Sequence, residues 1–181
     1  MHKVFTAKKA FISLFLFTFF NRLHLAITGG AKIIAVFLVV FLLTAALAFA
    51  ESPEEEFDRA VALFNEGEKL YNISDFRGAI EKWEAALTTF QRLGRKKAIG
   101  AAIGSLGVAN NILGDYRKAI AYFEKALAIA EEIGDKQGKG HRLNNLGNAY
   151  SDLGDYRKAI DYYEKALAIA EEIGDKQGKG N

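Results

Sequence analysis

Twenty-eight residues of this chain occur twice, at an offset of 40. Leu113–Gly140 reads LGDYRKAIAYFEKALAIAEEIGDKQGKG, and Leu153–Gly180 repeats it with two changes, Ala121 to Asp161 and Phe123 to Tyr163. A diverged third copy lies at the same offset toward the N-terminus, where Ser74-Asp75-Phe76-Arg77-Gly78-Ala79-Ile80 aligns with Gly114-Asp115-Tyr116-Arg117-Lys118-Ala119-Ile120. A unit recurring at a fixed period of this size folds as one supersecondary element. It cannot bury its apolar face alone and stacks on its own copies. The chain is therefore constrained to an array.

Each unit reads as two helices. In the last copy the first (A) helix runs from about Lys136 to Leu153 and the second (B) helix from about Tyr156 to Ile173. Gly154 stands where a helix C′ glycine belongs and Asp155 where an N-cap belongs, and Gly174-Asp175 repeat that punctuation. In the B helix Ile160, Tyr163, Ala166, Leu167 and Ala170 recur at three- and four-residue spacing and form one apolar face. Lys158, Asp161, Glu164, Lys165, Glu171 and Glu172 mix signs on a solvated face. A glycine inside a helix costs about 1 kcal/mol against alanine. Gly147, with Gly107 and Gly67 at offsets of 40 and 80, therefore predicts a close helix crossing in every unit.

The order Leu143, Leu146, Gly147, Tyr150, Ala159, Tyr163, Ala166 resembles the tetratricopeptide repeat (TPR) signature. The middle copy supplies Ile103, Leu106, Gly107, Asn110, Ala119, Phe123 and Ala126. The first supplies Leu63, Glu66, Gly67, Leu70, Ala79, Trp83 and Ala86. Asn110 departs where the family prefers an aromatic residue, and Glu66 where it prefers Leu. The period is longer than the usual ~34 residues and carries no closing Pro, similar to the long repeats of kinesin light chains and of bacterial signalling proteins. The resemblance implies an all-α, right-handed α-solenoid of three TPR helix-turn-helix units. They cover residues 54–94, 95–134 and 135–174, and residues 175–181 open a fourth. A solenoid normally ends in an atypical polar capping helix. None is present after the third unit, so the expectation is a fragment of a longer array whose uncapped apolar end invites self-association.

Composition divides the chain near Glu51. Residues 1–50 hold nine of the fourteen Phe, five Lys/Arg and no acid, whereas residues 51–181 hold nineteen Lys/Arg and all twenty-two Asp/Glu. The run Ile33–Ala50 is uncharged, follows Lys32, ends Ala48-Phe49-Ala50 and meets Glu51-Ser52-Pro53. That pattern is a secretory signal cleaved after Ala50. The run is also just long enough for an uncleaved span, leaving the chain membrane-anchored by residues 33–50. The second apolar run, Ala10–Phe20, fits either an over-extended start, with translation beginning near Gly29–Lys32, or a two-segment membrane hairpin. The expected location is exported from a bacterium, periplasmic or extracellular, with membrane anchoring by residues 33–50 as the alternative. Cysteine is absent, which excludes disulfides, thiolate metal sites, Cys nucleophiles and a lipoprotein anchor.

No enzymatic constellation emerges. Gly134-Asp135-Lys136-Gln137-Gly138-Lys139-Gly140 lacks both the spacing and the Ser/Thr of a phosphate loop, and its recurrence marks an inter-repeat turn. Gly100, Gly104 and Gly107 follow no strand and fit helix packing rather than dinucleotide binding. His2, His24 and His141 cannot converge on a metal. Glu131 and Glu132 read as solvated, and Asn72-Ile73-Ser74 is a glycosylation sequon by pattern only. No cofactor is expected, and a net charge of +2 is too balanced for nucleic acid. Membrane contact falls to the N-terminal segment alone.

What remains is a protein- or peptide-binding surface. In the last copy the A-helix positions facing away from the core are His141, Asn144, Asn145, Asn148, Ser151 and Asp152. Asparagine amides can bond both N–H and C=O groups of an extended peptide; equally, they can serve only as soluble filler. The middle copy presents Ala101, Gly104, Ser105, Val108 and Asn111 there, and the first Phe64, Asn65, Glu68, Tyr71 and Asn72. The expected function is an exported TPR scaffold that captures a partner on its concave face. The alternative is the regulatory arm of a longer exported protein with a C-terminal caspase-like (CHAT) protease domain. N-terminal sequencing of the protein expressed in a bacterial host should begin at Glu51; a start upstream of Ile33 would overturn cleavage.

Overall fold

The computed structural model describes residues 37, 38, 40–42 and 52–174. The chain divides into two units, residues 1–52 and 53–181. In the first, the described residues 37, 38 and 40–42 are helical, and the cleavage point after Ala50 lies outside the described residues. Residues 175–181, read as the start of a fourth repeat, also lie outside them. Among the described residues no helix is long and apolar enough to cross a membrane.

The second unit holds α1 (Pro53–Asn72), α2 (Phe76–Arg92), α3 (Lys96–Ile112), α4 (Tyr116–Glu132), α5 (Lys136–Asp152) and α6 (Tyr156–Glu172). Successive helices form the hairpins α1/α2, α3/α4 and α5/α6. Three-residue turns join them, and each hairpin stacks on the one before. The turns close by one device. After α3, Gly114 N–H donates to Asn111 C=O at 3.0 Å and Asp115 N–H to Asn110 C=O at 2.9 Å, the Schellman pattern. Gly114 and Gly154 take φ of +85° and +88°, open to glycine without strain. The first hairpin has Ser74 at this position, with φ +64°. The next helix then opens on an aspartate. Asp75, Asp135 and Asp155 accept from the N–H of Gly78, Gly138 and Lys158 at 3.0, 2.8 and 3.3 Å. Asp115 makes no such bond, and α3 opens on Arg95, which has no side-chain acceptor.

Within each hairpin a glycine of the A helix lies flat against an aromatic ring of the B helix. A Cβ built at Gly67 would lie 2.6 Å from Trp83, at Gly107 2.5 Å from Phe123, and at Gly147 2.4 Å from Tyr163. Between hairpins the A helix packs on the preceding B helix. Leu106 and Ala109 bury against Ala79 and Trp83, and Leu146 and Ala149 against Ala119, Ile120 and Phe123. Ala60, Ala86, Phe90 and Ala102 close the first interface. All these residues are essentially removed from water.

The structure accommodates both departures from the family pattern. Glu66 and Lys69 of α1 stand where α3 and α5 place Leu and Ala. Within this unit no B helix precedes α1; both are exposed, and Glu66 pairs with Lys82 at 3.1 Å. Asn110 is 1% exposed and satisfies its amide by donating to Leu106 C=O at 2.7 Å. The apolar face expected of the last B helix exists but is open among the described residues. Ile160 is 56% exposed, whereas its equivalent Ile120, covered by the following hairpin, is 8% exposed.

Exposed ion pairs repeat with a reversal of sign. Lys96 pairs with Glu132 and Lys136 with Glu172, but in the first hairpin the pair is Glu56–Arg92. Each joins the start of an A helix to the end of its own B helix. Such exposed pairs contribute on the order of 0–1 kcal/mol, so they tune helix pairing rather than hold it.

Gly107→Ala should destabilise the chain by about 1–2 kcal/mol in urea unfolding. The new methyl meets the Phe123 ring, and overpacking outweighs the gain in helix propensity. Ser74→Gly should stabilise by about 0.5–1 kcal/mol, because it relieves a left-handed residue at some cost in unfolded-state entropy.

Candidate partner-binding surface

Burial of Leu143, Leu146, Gly147 and Ala149 fixes which side of α5 faces out. His141, Asn144, Asn148 and Asp152 are exposed, and Asn145 and Ser151 partly so. The six residues named from the sequence thus lie along one helix. Among the described residues, no three His, Asp or Glu side chains converge to hold a metal.

The three A helices meet side by side, and polar contacts tie them. Ser105 Oγ donates to Glu68 Oε1 at 3.3 Å, linking α3 to α1. Asn111 Nδ2 donates to Asp152 Oδ2 at 2.6 Å, linking α3 to α5. Asp152 is therefore engaged within the array, and the buried Oδ1 of Asn111 has no hydrogen-bond partner among the described residues. Tyr163 Oη donates to Asn148 Oδ1 at 2.7 Å. That bond assigns the oxygen inward and leaves the Asn148 amide N–H groups as donors only, narrower than the donor-and-acceptor role expected from the residue type. Burial raises the Tyr163 pKa, and the Asp152 charge adds to it. Asn144 and Asn145 make no side-chain hydrogen bond among the described residues, so both donors and acceptors of their amides are available.

The bond between Tyr163 and Asn148 also accounts for one of the two differences between the near-identical copies. In the middle hairpin the equivalent residues are Phe123 and Val108, both apolar, with Val108 packed against the cluster that holds Phe123. A hydroxyl at 163 needs an acceptor, and Asn148 supplies it.

Sequence reasoning passed over Arg142. It occupies a column that is otherwise alanine, at Ala62 and Ala102, which was the available signal. Its guanidinium lies against Gly104, where a Cβ would come within 2.4 Å of the guanidinium carbon. Arg142 Nη2 donates to Gly100 C=O at 3.4 Å. Burial lowers the Arg142 pKa from its usual value, with Asp135 opposing the shift. Packing within the helix array holds for the three glycines of α3, but each serves a different neighbour: Gly107 faces Phe123, Gly100 faces Ile129, and Gly104 faces Arg142.

The family model for the tetratricopeptide repeat matches residues 58–132 and again 98–172. No curated protein matches the chain. Among solved structures, the TPR domain of Arabidopsis FLU superposes with a TM-score of 0.61 at 24% identity, over 67% of this chain and 99% of that one. BtubC from P. vanneervenii matches at TM-score 0.62 and 24% identity, over 78% of this chain and 57% of that one. A Rap protein complexed with Competence and Sporulation Factor matches at TM-score 0.63 and 20% identity, over 75% of this chain. This chain spans 37% of that Rap protein's length. At these identities the solved structures speak for the fold. The repeat model, reaching from residue 58 to residue 172, places the chain in the tetratricopeptide repeat family.

Proposed function

We propose that this chain is a binding scaffold which captures an extended segment of a protein partner along the row formed by α1, α3 and α5. Tetratricopeptide repeats mediate protein–protein interaction, and the fold is typically non-catalytic. The observation that carries the reading is the outer face of α5. There Asn144 and Asn145 hold free amides, and the exposed Asn148 has its oxygen tied back to Tyr163 and its N–H groups unused. Backbone amides and carbonyls of an extended segment are the complementary groups. One similar structure, the Rap protein, is complexed with Competence and Sporulation Factor, which fits a captured ligand on this fold. The leader of residues 1–50 supports placing the scaffold outside the cytoplasm, exported or held at the membrane by residues 33–50.

Replacing Asn144, Asn145 and Asn148 together with Ala removes the amides and leaves the buried face of α5 intact, with the Tyr163 hydroxyl, whose bond to Asn148 is exposed, passing to water. Circular dichroism should show unchanged helicity. Each hydrogen bond to the partner contributes about 0.5–1.5 kcal/mol, so partner recovery in a pull-down from envelope extract should fall at least about tenfold. Equal recovery by both proteins would overturn the assignment of this face.

A further inference from the structure

A guanidinium carries five N–H donors and no acceptor. That of Arg142 is partly buried between α3 and α5, and among the described residues it uses one donor, in the 3.4 Å bond to Gly100 C=O. No carboxylate among the described residues lies within ion-pair distance of it. The acid acting on it, Asp135, is already engaged as the cap of α5, accepting from Gly138 N–H. The four donors that the protein leaves unused are open to a ligand, and a guanidinium already drawn part-way out of water gives up little hydration to receive one. Gly104 makes the seat. The same position carries Phe64 in α1 and Asn144 in α5, and any side chain at 104 would displace the guanidinium.

We infer that Arg142, seated on Gly104, receives the carboxylate of an Asp or Glu side chain from the captured segment, so that the partner is acidic at one fixed position. The inference rests on the proposed capture of a segment along the A-helix row. The planar fork of the guanidinium matches one carboxylate. Glu68 and Asp152 on the same row repel a doubly charged phosphate or a polyanion more strongly than a singly charged carboxylate, which favours the carboxylate. The amides of Asn144, Asn145 and Asn148 continue along α5 and hold the backbone beyond that residue.

The test is selection of random peptides, displayed between fixed flanking sequences so that no free C-terminus is offered, on the full chain held in detergent. Selected sequences should align with Asp or Glu enriched at one position. A synthetic peptide from that set should lose about ten- to hundredfold affinity when this residue becomes Asn or Gln. Arg142→Ala should abolish that preference while retaining the amide-substituted peptide, since alanine already occupies the position in the other hairpins at Ala62 and Ala102. Gly104→Ala should remove the same preference with helicity kept or raised, because the new methyl displaces only the end of a flexible side chain. Peptides selected without an acidic position, or an acidic preference that survives both substitutions, would overturn the role of Arg142 and leave the scaffold reading standing. Failure to select any peptide would overturn both.

Discussion

The contact of a bare glycine with an aromatic ring sets the rest of this array. In each hairpin the A helix approaches the B helix at Gly67, Gly107 or Gly147, and the ring of Trp83, Phe123 or Tyr163 fills the space a side chain would take. That crossing fixes where the rest of the A helix points. It aims Leu106 and Leu146 at the preceding B helix, and it turns the opposite side of α5 outward. The ring type is free to vary as long as its polar edge is satisfied. Trp83 Nε1 donates to Phe64 C=O at 3.2 Å, Tyr163 donates to Asn148, and Phe123, buried in an apolar cluster, asks for nothing.

Around this shared contact the three hairpins differ according to their place in the stack. α1 carries Glu66 and Lys69, both exposed, where its equivalents are apolar. α6 keeps the apolar face of α4, with Ile160 and Leu167 exposed. The first and last described helices of the unit are therefore chemically unlike. The reversed sign of the Glu56–Arg92 pair relative to Lys96–Glu132 distinguishes the first hairpin from the others in the same way.

Much of this was legible in the linear text because repeats align themselves. The offset of 40 identified the helix pairs, the glycine turns and the crossing glycines, and small-residue spacing gave the core. The binding row was legible only in part. Asn144, Asn145 and Asn148 announced themselves by type, but nothing in their spacing showed that the oxygen of Asn148 is committed to Tyr163 or that Asp152 is held by Asn111. Arg142 was hidden because its significance lies in the emptiness of another helix at Gly104, nearly a full repeat away in the chain. The departures Glu66 and Asn110 are weaker matches to the signature that the structure accommodates, one exposed to water and one buried with its own acceptor.

The sequence by itself determined the family, the helix pairs and the contacts made inside one repeating unit, because these depend on short-range spacing that recurs with every unit. Only the tertiary structure decided which polar groups remain available to a partner. Availability is set by neighbours from other helices: a hydroxyl from α6 on Asn148, an amide from α3 on Asp152, and a glycine of α3 beneath Arg142. Hydrogen bonds are satisfied in space rather than along the chain, and the function of a scaffold lies in the ones left over.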